Sequence, residues 1–129
     1  MLDLDLLPEE YAVCRLPAGT ALSPSLSGGL GDKGVISVTW APDETSIICP
    51  ADSVPDGATA ETPWRCLRVV GPLDLALTGV LASLVGPLAE ARVNIVTFST
   101  YDTDYLLVPT VRLQEAVNTL IRAGHRIST

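Results

Sequence analysis

Apolar and polar positions fall into short strand-like blocks in the first half of the chain and into longer helical stripes in the second. Tyr11–Leu16 reads as a short strand, ended by Pro17 and Gly19. Residues 17–34 are rich in Gly, Pro and Ser, with Gly28, Gly29 and Gly31, and read as a loop. Val35–Trp40 and Thr45–Cys49 are β-branched runs joined by Ala41–Glu44, which predicts a hairpin with a four-residue turn. Pro50–Pro63 holds three prolines and Gly57, and reads as a connector with about one helical turn. Trp64–Val70 is the next strand, closed by Gly71 and Pro72.

Leu77, Val80, Leu81, Leu84, Val85 and Leu88 then fall at helical spacing and predict a helix over 74–86. Asp74 stands where an acid would complement the exposed N–H groups of a first turn. Pro87 removes one backbone donor, so a kink or an end is expected near Gly86. Arg92–Ser99 and Asp104–Val108 read as strands joined by the polar turn Thr100–Thr103. A second helix over 110–123 follows Pro109, with Leu113, Val117, Leu120 and Ile121 on one face and Gly124 at its C-terminal cap. His125–Ser128 closes the chain as a short strand. From residue 64 the order is βαββαβ, which predicts an α+β, ferredoxin-like domain with an antiparallel sheet and two helices on one face.

At 129 residues the chain fits one ordinary domain or two very small ones. Hydrophobic residues make up 47% and charged residues 18%, a globular balance. The net charge of -7 repels phosphate backbones and anionic lipid, so neither nucleic acid nor membrane is expected as a partner. No apolar run approaches the roughly 20 residues that span a bilayer. Residues 1–5 lack the basic start and apolar core of a secretory signal. Three widely spaced cysteines without a C-x-x-C pair fit a reducing compartment, so a cytoplasmic location is expected. The charge is uneven: residues 1–61 carry ten acids against Arg15 and Lys33, and residues 62–129 five acids against six arginines. That split reads either as two modules, the first attracting a cationic ligand or the second module, or as a solvated acidic surface.

No residue pattern demands catalysis. His125 has no acid or cysteine near it in sequence and reads as structural or solvent-exposed. Cys14, Cys49 and Cys66 each lie within a strand pattern and read as small hydrophobes. Asp102 and Asp104 could hold a hard cation, but the third ligand, glycine and distal Glu of an EF-hand loop are missing. The glycines at 28–31 match neither dinucleotide nor phosphate-binding loops. No metal or cofactor is expected. Two segments point instead to binding. The turn Val70–Asp74 leads from strand to helix and would present backbone N–H groups to a carboxylate. Ser99–Tyr105 is dense in hydroxyls and acids, either as a solvated hairpin or as the receptor for an ammonium. Together they suit a zwitterion such as an amino acid.

Gly71–Leu81, Pro87–Ala91 and Ser99–Val108 resemble the ACT domain, in the branch shared by small bacterial tandem-ACT proteins and the cytosolic arginine sensors. Tyr11–Pro17 and Glu44–Cys49 resemble the degenerate first module of that group. The resemblance implies a degenerate ACT-like module over 1–61 and an ACT domain over 62–129. It implies a regulatory protein, not an enzyme, that binds an amino acid or similar small metabolite, pairs as a homodimer and acts through a protein partner. It maps ligand contacts onto Ser46, Ile47, Gly71, Asp74, Gly79, Tyr101, Thr103 and Asp104, with Asp104 taking a cationic group. The chain departs from the arginine sensors at Leu77, where they carry an acid, and at Asp74, where they carry a small residue. An amino-acid ligand is therefore implied without arginine being implied. The competing expectation is a ligand-free structural module for protein interaction.

Overall fold

The computed structural model describes residues 1–22 and 34–129, so the glycines at 28–31 lie outside the described residues. The described elements are strands β1 (Asp3–Leu16), β2 (Ser37–Trp40), β3 (Thr45–Pro50), β4 (Thr59–Val69), β5 (Val96–Ser99), β6 (Asp104–Pro109) and β7 (Arg126–Ser128). Two α-helices, α1 (Val80–Glu90) and α2 (Leu113–Arg122), and 3-10 turns at Ala51–Ser53 and Thr110–Arg112 complete them. The chain forms two compact units, residues 1–8 with 65–129, and residues 9–64.

In the unit of 1–8 and 65–129, the order β4–α1–β5–β6–α2–β7 is the expected βαββαβ. β6 stands between β4 and β5, with β5 antiparallel to it from Val96↔Leu107 to Ser99↔Asp104. The first strand begins at Asp3, eight residues before its expected start. Leu4 is fully buried and Leu2 and Leu6 pack against the core, while Asp3 and Asp5 alternate with them and pair with Arg126 and Arg68 at 2.6 and 2.9 Å. That is the period of two of a half-buried strand. As a result β7 pairs in parallel with β1, Asp3↔Arg126 to Asp5↔Ser128. The core holds Leu67, Leu84, Leu88, Leu106, Val108 and Leu120.

The helix expected over 74–86 begins at Val80 and runs to Glu90. Asp74 turns the chain instead: its carboxylate accepts the Ala76 N–H at 2.9 Å and its carbonyl the Leu77 N–H at 3.0 Å. Gly79, at φ +80°, makes the entry, a backbone region open to glycine. Leu77 is left outside the helix, 56% exposed. Pro87 does not end the helix. It cannot donate to the Ser83 carbonyl four residues earlier, and His125 Nε2 donates to that carbonyl instead, at 3.1 Å. His125 Nδ1 accepts the Leu2 N–H at 3.1 Å, which assigns the ring proton to Nε2. The buried ring thus fills both positions of a neutral imidazole, a structural role for the single histidine.

Both helices close alike. The Arg92 and Val93 amides donate to the Ala89 and Leu88 carbonyls, and those of Gly124 and His125 to Ile121 and Leu120. This is the Schellman pattern, with Arg92 at φ +60° and Gly124 at φ +98° in the left-handed position. The first closure explains why β5 starts at Val96 rather than Arg92. On α2 the buried face is Ala116, Thr119 and Leu120, and Ile121, expected there, is 51% exposed.

In the unit of 9–64, β3 pairs antiparallel with β1 (Tyr11↔Pro50 to Leu16↔Thr45) and with β2 (Ser37↔Ile48 to Trp40↔Thr45). The expected hairpin is present, its turn closed by the Ala41 N–H on the Glu44 carbonyl at 2.9 Å. Alternate residues Ala12, Cys14, Leu16, Ile47 and Cys49 form the core. β4 begins at Thr59, earlier than expected, and the Thr62 hydroxyl donates to the Tyr11 carbonyl at 3.1 Å.

Candidate ligand-binding cleft

Two segments distant in sequence meet at one end of the unit of 1–8 and 65–129. The Leu73 N–H donates to the Asp102 carbonyl at 2.6 Å, tying the strand-to-helix loop to the β5–β6 turn. Gly71 permits this approach, since a Cβ there would stand 2.9 Å from the Asp102 carbonyl oxygen. The turn is closed by the Thr100 N–H on the Thr103 carbonyl at 2.9 Å. The buried Thr103 hydroxyl donates to the Val69 carbonyl at 2.6 Å.

Between these segments lies a cleft of about 300 Å³, at the lower end of small-molecule sites. One wall carries Leu73, Asp74, Leu75, Leu77 and Gly79, and leads into the first turn of α1 at Val80–Ala82. The other carries Ser99, Thr100, Tyr101, Asp102, Thr103 and Asp104. Gly79 offers no side-chain cap, so the N–H groups of Val80, Leu81 and Ala82 have no hydrogen-bond partner among the described residues. Opposite, the Ser99 hydroxyl donates to Asp104 Oδ1 at 2.5 Å, leaving Oδ2 without a donor among the described residues. Phe98 and Tyr105 stack beside this pair, centroids 4.8 Å apart. The lining holds three aspartates and no Lys, Arg or His.

Asp74, Gly79, Tyr101, Thr103 and Asp104 therefore line one cleft, and Gly71 supports the loop that forms it. Ser46 and Ile47 lie on β3 in the other unit, with Ile47 fully buried there. Within the Val70–Asp74 turn the Val70 and Leu73 amides already have partners, the Asp3 and Asp102 carbonyls, and Pro72 has no N–H. Val80–Ala82 add further donors, and Gly79 followed by an apolar helix without an N-cap side chain was their signal in the sequence.

Other reactive groups are enclosed. Cys14, Cys49 and Cys66 are buried. Burial pushes the Cys14 thiol up and the Cys49 thiol up to about 12, with Cys14 and Asp52 adding to the latter shift. Thiolate chemistry at either is thereby suppressed. Among the described residues no group of three or more His, Cys, Asp or Glu is placed to hold a metal ion, and no helix is long and apolar enough to cross a membrane.

The family profile described as the ACT domain matches residues 59–122. The human cytosolic arginine sensor for mTORC1 subunit 1 is 32% identical over 91 residues, 70% of this chain and 27% of the sensor. The chain thus spans about a quarter of the length of that curated relative. A solved structure of an Agrobacterium tumefaciens protein is 32% identical, with a TM-score of 0.87 over 98% of this chain and 92% of that one. A Vibrio cholerae protein of unknown function shares the fold at 20% identity, with a TM-score of 0.74 over 95% of this chain and 89% of that one. The chain belongs to the ACT-domain family.

Proposed function

We propose that the protein is a regulatory module that binds an amino acid or a similar zwitterionic metabolite, without catalysing a reaction. One observation carries the reading: Val80–Ala82, whose amides are unpartnered among the described residues, and Asp104 line the same cleft. The amides, at the positive end of the helix dipole, receive the ligand carboxylate. Asp104 receives the ammonium, held in place by Ser99, while Tyr101 and Asp102 close the outer rim. The relative named as a cytosolic arginine sensor supports a sensing role in the cytoplasm. In this reading residues 1–61 are a degenerate ACT-like module before the ACT domain of 62–129, and the protein works as a homodimer that signals to a protein partner. Ser46 and Ile47 enter as ligand contacts from the family resemblance alone.

A thermal-shift screen of the twenty amino acids tests it. A ligand at 100 times its Kd adds about 2.7 kcal/mol of stability. Asp104→Ala should weaken binding at least about tenfold, or 1.4 kcal/mol, and leave the melting of the free protein nearly unchanged. Flat curves for all twenty would favour the ligand-free interaction module, and equal affinity in Asp104→Ala would remove the ammonium site.

A further inference from the structure

Resting on the amino-acid reading above, we infer that the cleft selects an amino acid with an uncharged, apolar side chain. Its two walls differ in chemistry. Once the ligand carboxylate lies on the α1 amides and its ammonium on Asp104, the side chain faces Leu73, Leu75, Leu77, Val80 and Leu81. Leu75 and Leu77 are 71% and 56% exposed, although the turn that carries them is fixed by Asp74 and needs neither side chain. A bound apolar side chain removes this surface from water. A guanidinium or ammonium tail laid along the same wall would lose hydration against five apolar side chains. The single carboxylate on that wall, Asp74, is fixed in its turn by the Ala76 N–H on Oδ1. The Asp104 carboxylate does not by itself select a cationic side chain, because it is neutralised by the α-ammonium that every amino acid carries, and of the two remaining aspartates only Asp74 stands on the apolar wall.

Isothermal titration of the full chain with leucine, isoleucine and methionine against arginine and lysine tests the inference. At least one of the first three should bind about tenfold or more tighter than either cationic amino acid. Leu77→Glu places a carboxylate on the apolar wall, and should weaken leucine at least about tenfold while strengthening arginine and lysine. A melting curve matching wild type establishes that Leu77→Glu is folded. Tightest binding of arginine or lysine overturns the apolar selection and leaves the amino-acid reading standing. So does an unchanged leucine affinity in Leu77→Glu. Flat titrations with all five overturn the inference, and flat melts across all twenty overturn the reading beneath it.

Discussion

Leu84 and Leu88, on the body of α1, are fully buried against β4, β6 and α2 residues of the same core, whereas Leu75 and Leu77, just before the helix, stand in water. The backbone follows the same division. Towards its C-terminus the Ser83 carbonyl orphaned by Pro87, and the Ala89 and Leu88 carbonyls of the helix end, find partners in His125, Arg92 and Val93. At the N-terminus Gly79 leaves three amides open. One helix therefore anchors the domain with one end and offers the other to solvent. The lesson is that stability and binding are separable along a single element, which the following substitutions can break or sharpen.

The largest expected effect is at the anchored end. Leu84→Ala removes a fully buried side chain and should cost about 2–5 kcal/mol, read from the denaturant midpoint. A silent substitution would mean that α1 does not carry the core.

His125→Ala probes the same end through its polar groups. It strips partners from the Ser83 carbonyl and the Leu2 amide, two part-buried hydrogen bonds each worth about 0.5–1.5 kcal/mol. Pro87→Ala supplies the missing helical N–H to Ser83. The penalty of His125→Ala should therefore shrink in the Pro87→Ala background, by a coupling of about 0.5–3 kcal/mol. Additive penalties in chemical denaturation would uncouple the histidine from the proline.

Much of this architecture was legible in the sequence, and the exceptions have separate physical causes. The hairpin of β2 and β3, the βαββαβ order and the Gly124 cap follow from side-chain periodicity and backbone freedom, which are local. The extension of β1 to Asp3 was written in the alternation of Leu2, Leu4 and Leu6 with Asp3 and Asp5, but its pairing with β7 lies more than 120 residues away. The start of α1 was misplaced because Asp74 serves a turn as well as it serves a cap, and both use the same carboxylate. Pro87 is reconciled with a continuing helix by His125, through a contact to the Ser83 carbonyl 42 residues earlier. For the cleft, the hydroxyls and acids of 99–105 stood out, while the amide donors are marked only by Gly79 standing where a capping side chain would be.

The smallest expected effect is also the sharpest test of the comparison. In the apolar stripe of the sequence, Leu77 and Leu84 are equivalent positions, about two helical turns apart. In the structure Leu77 lies outside the helix and is 56% exposed, and the N–H it gives to the Asp74 carbonyl is a backbone group that a substitution retains. Leu77→Ala should therefore change stability by no more than about 0.5 kcal/mol, as surface substitutions do. Paired denaturant melts of Leu77→Ala and Leu84→Ala measure the contrast directly. A loss at Leu77 comparable to that at Leu84 would put Leu77 in the core, extend the helix back towards Asp74, and remove the apolar wall from the cleft. A stable Leu77→Ala protein that binds leucine more weakly than wild type would assign that side chain to the ligand rather than to the fold.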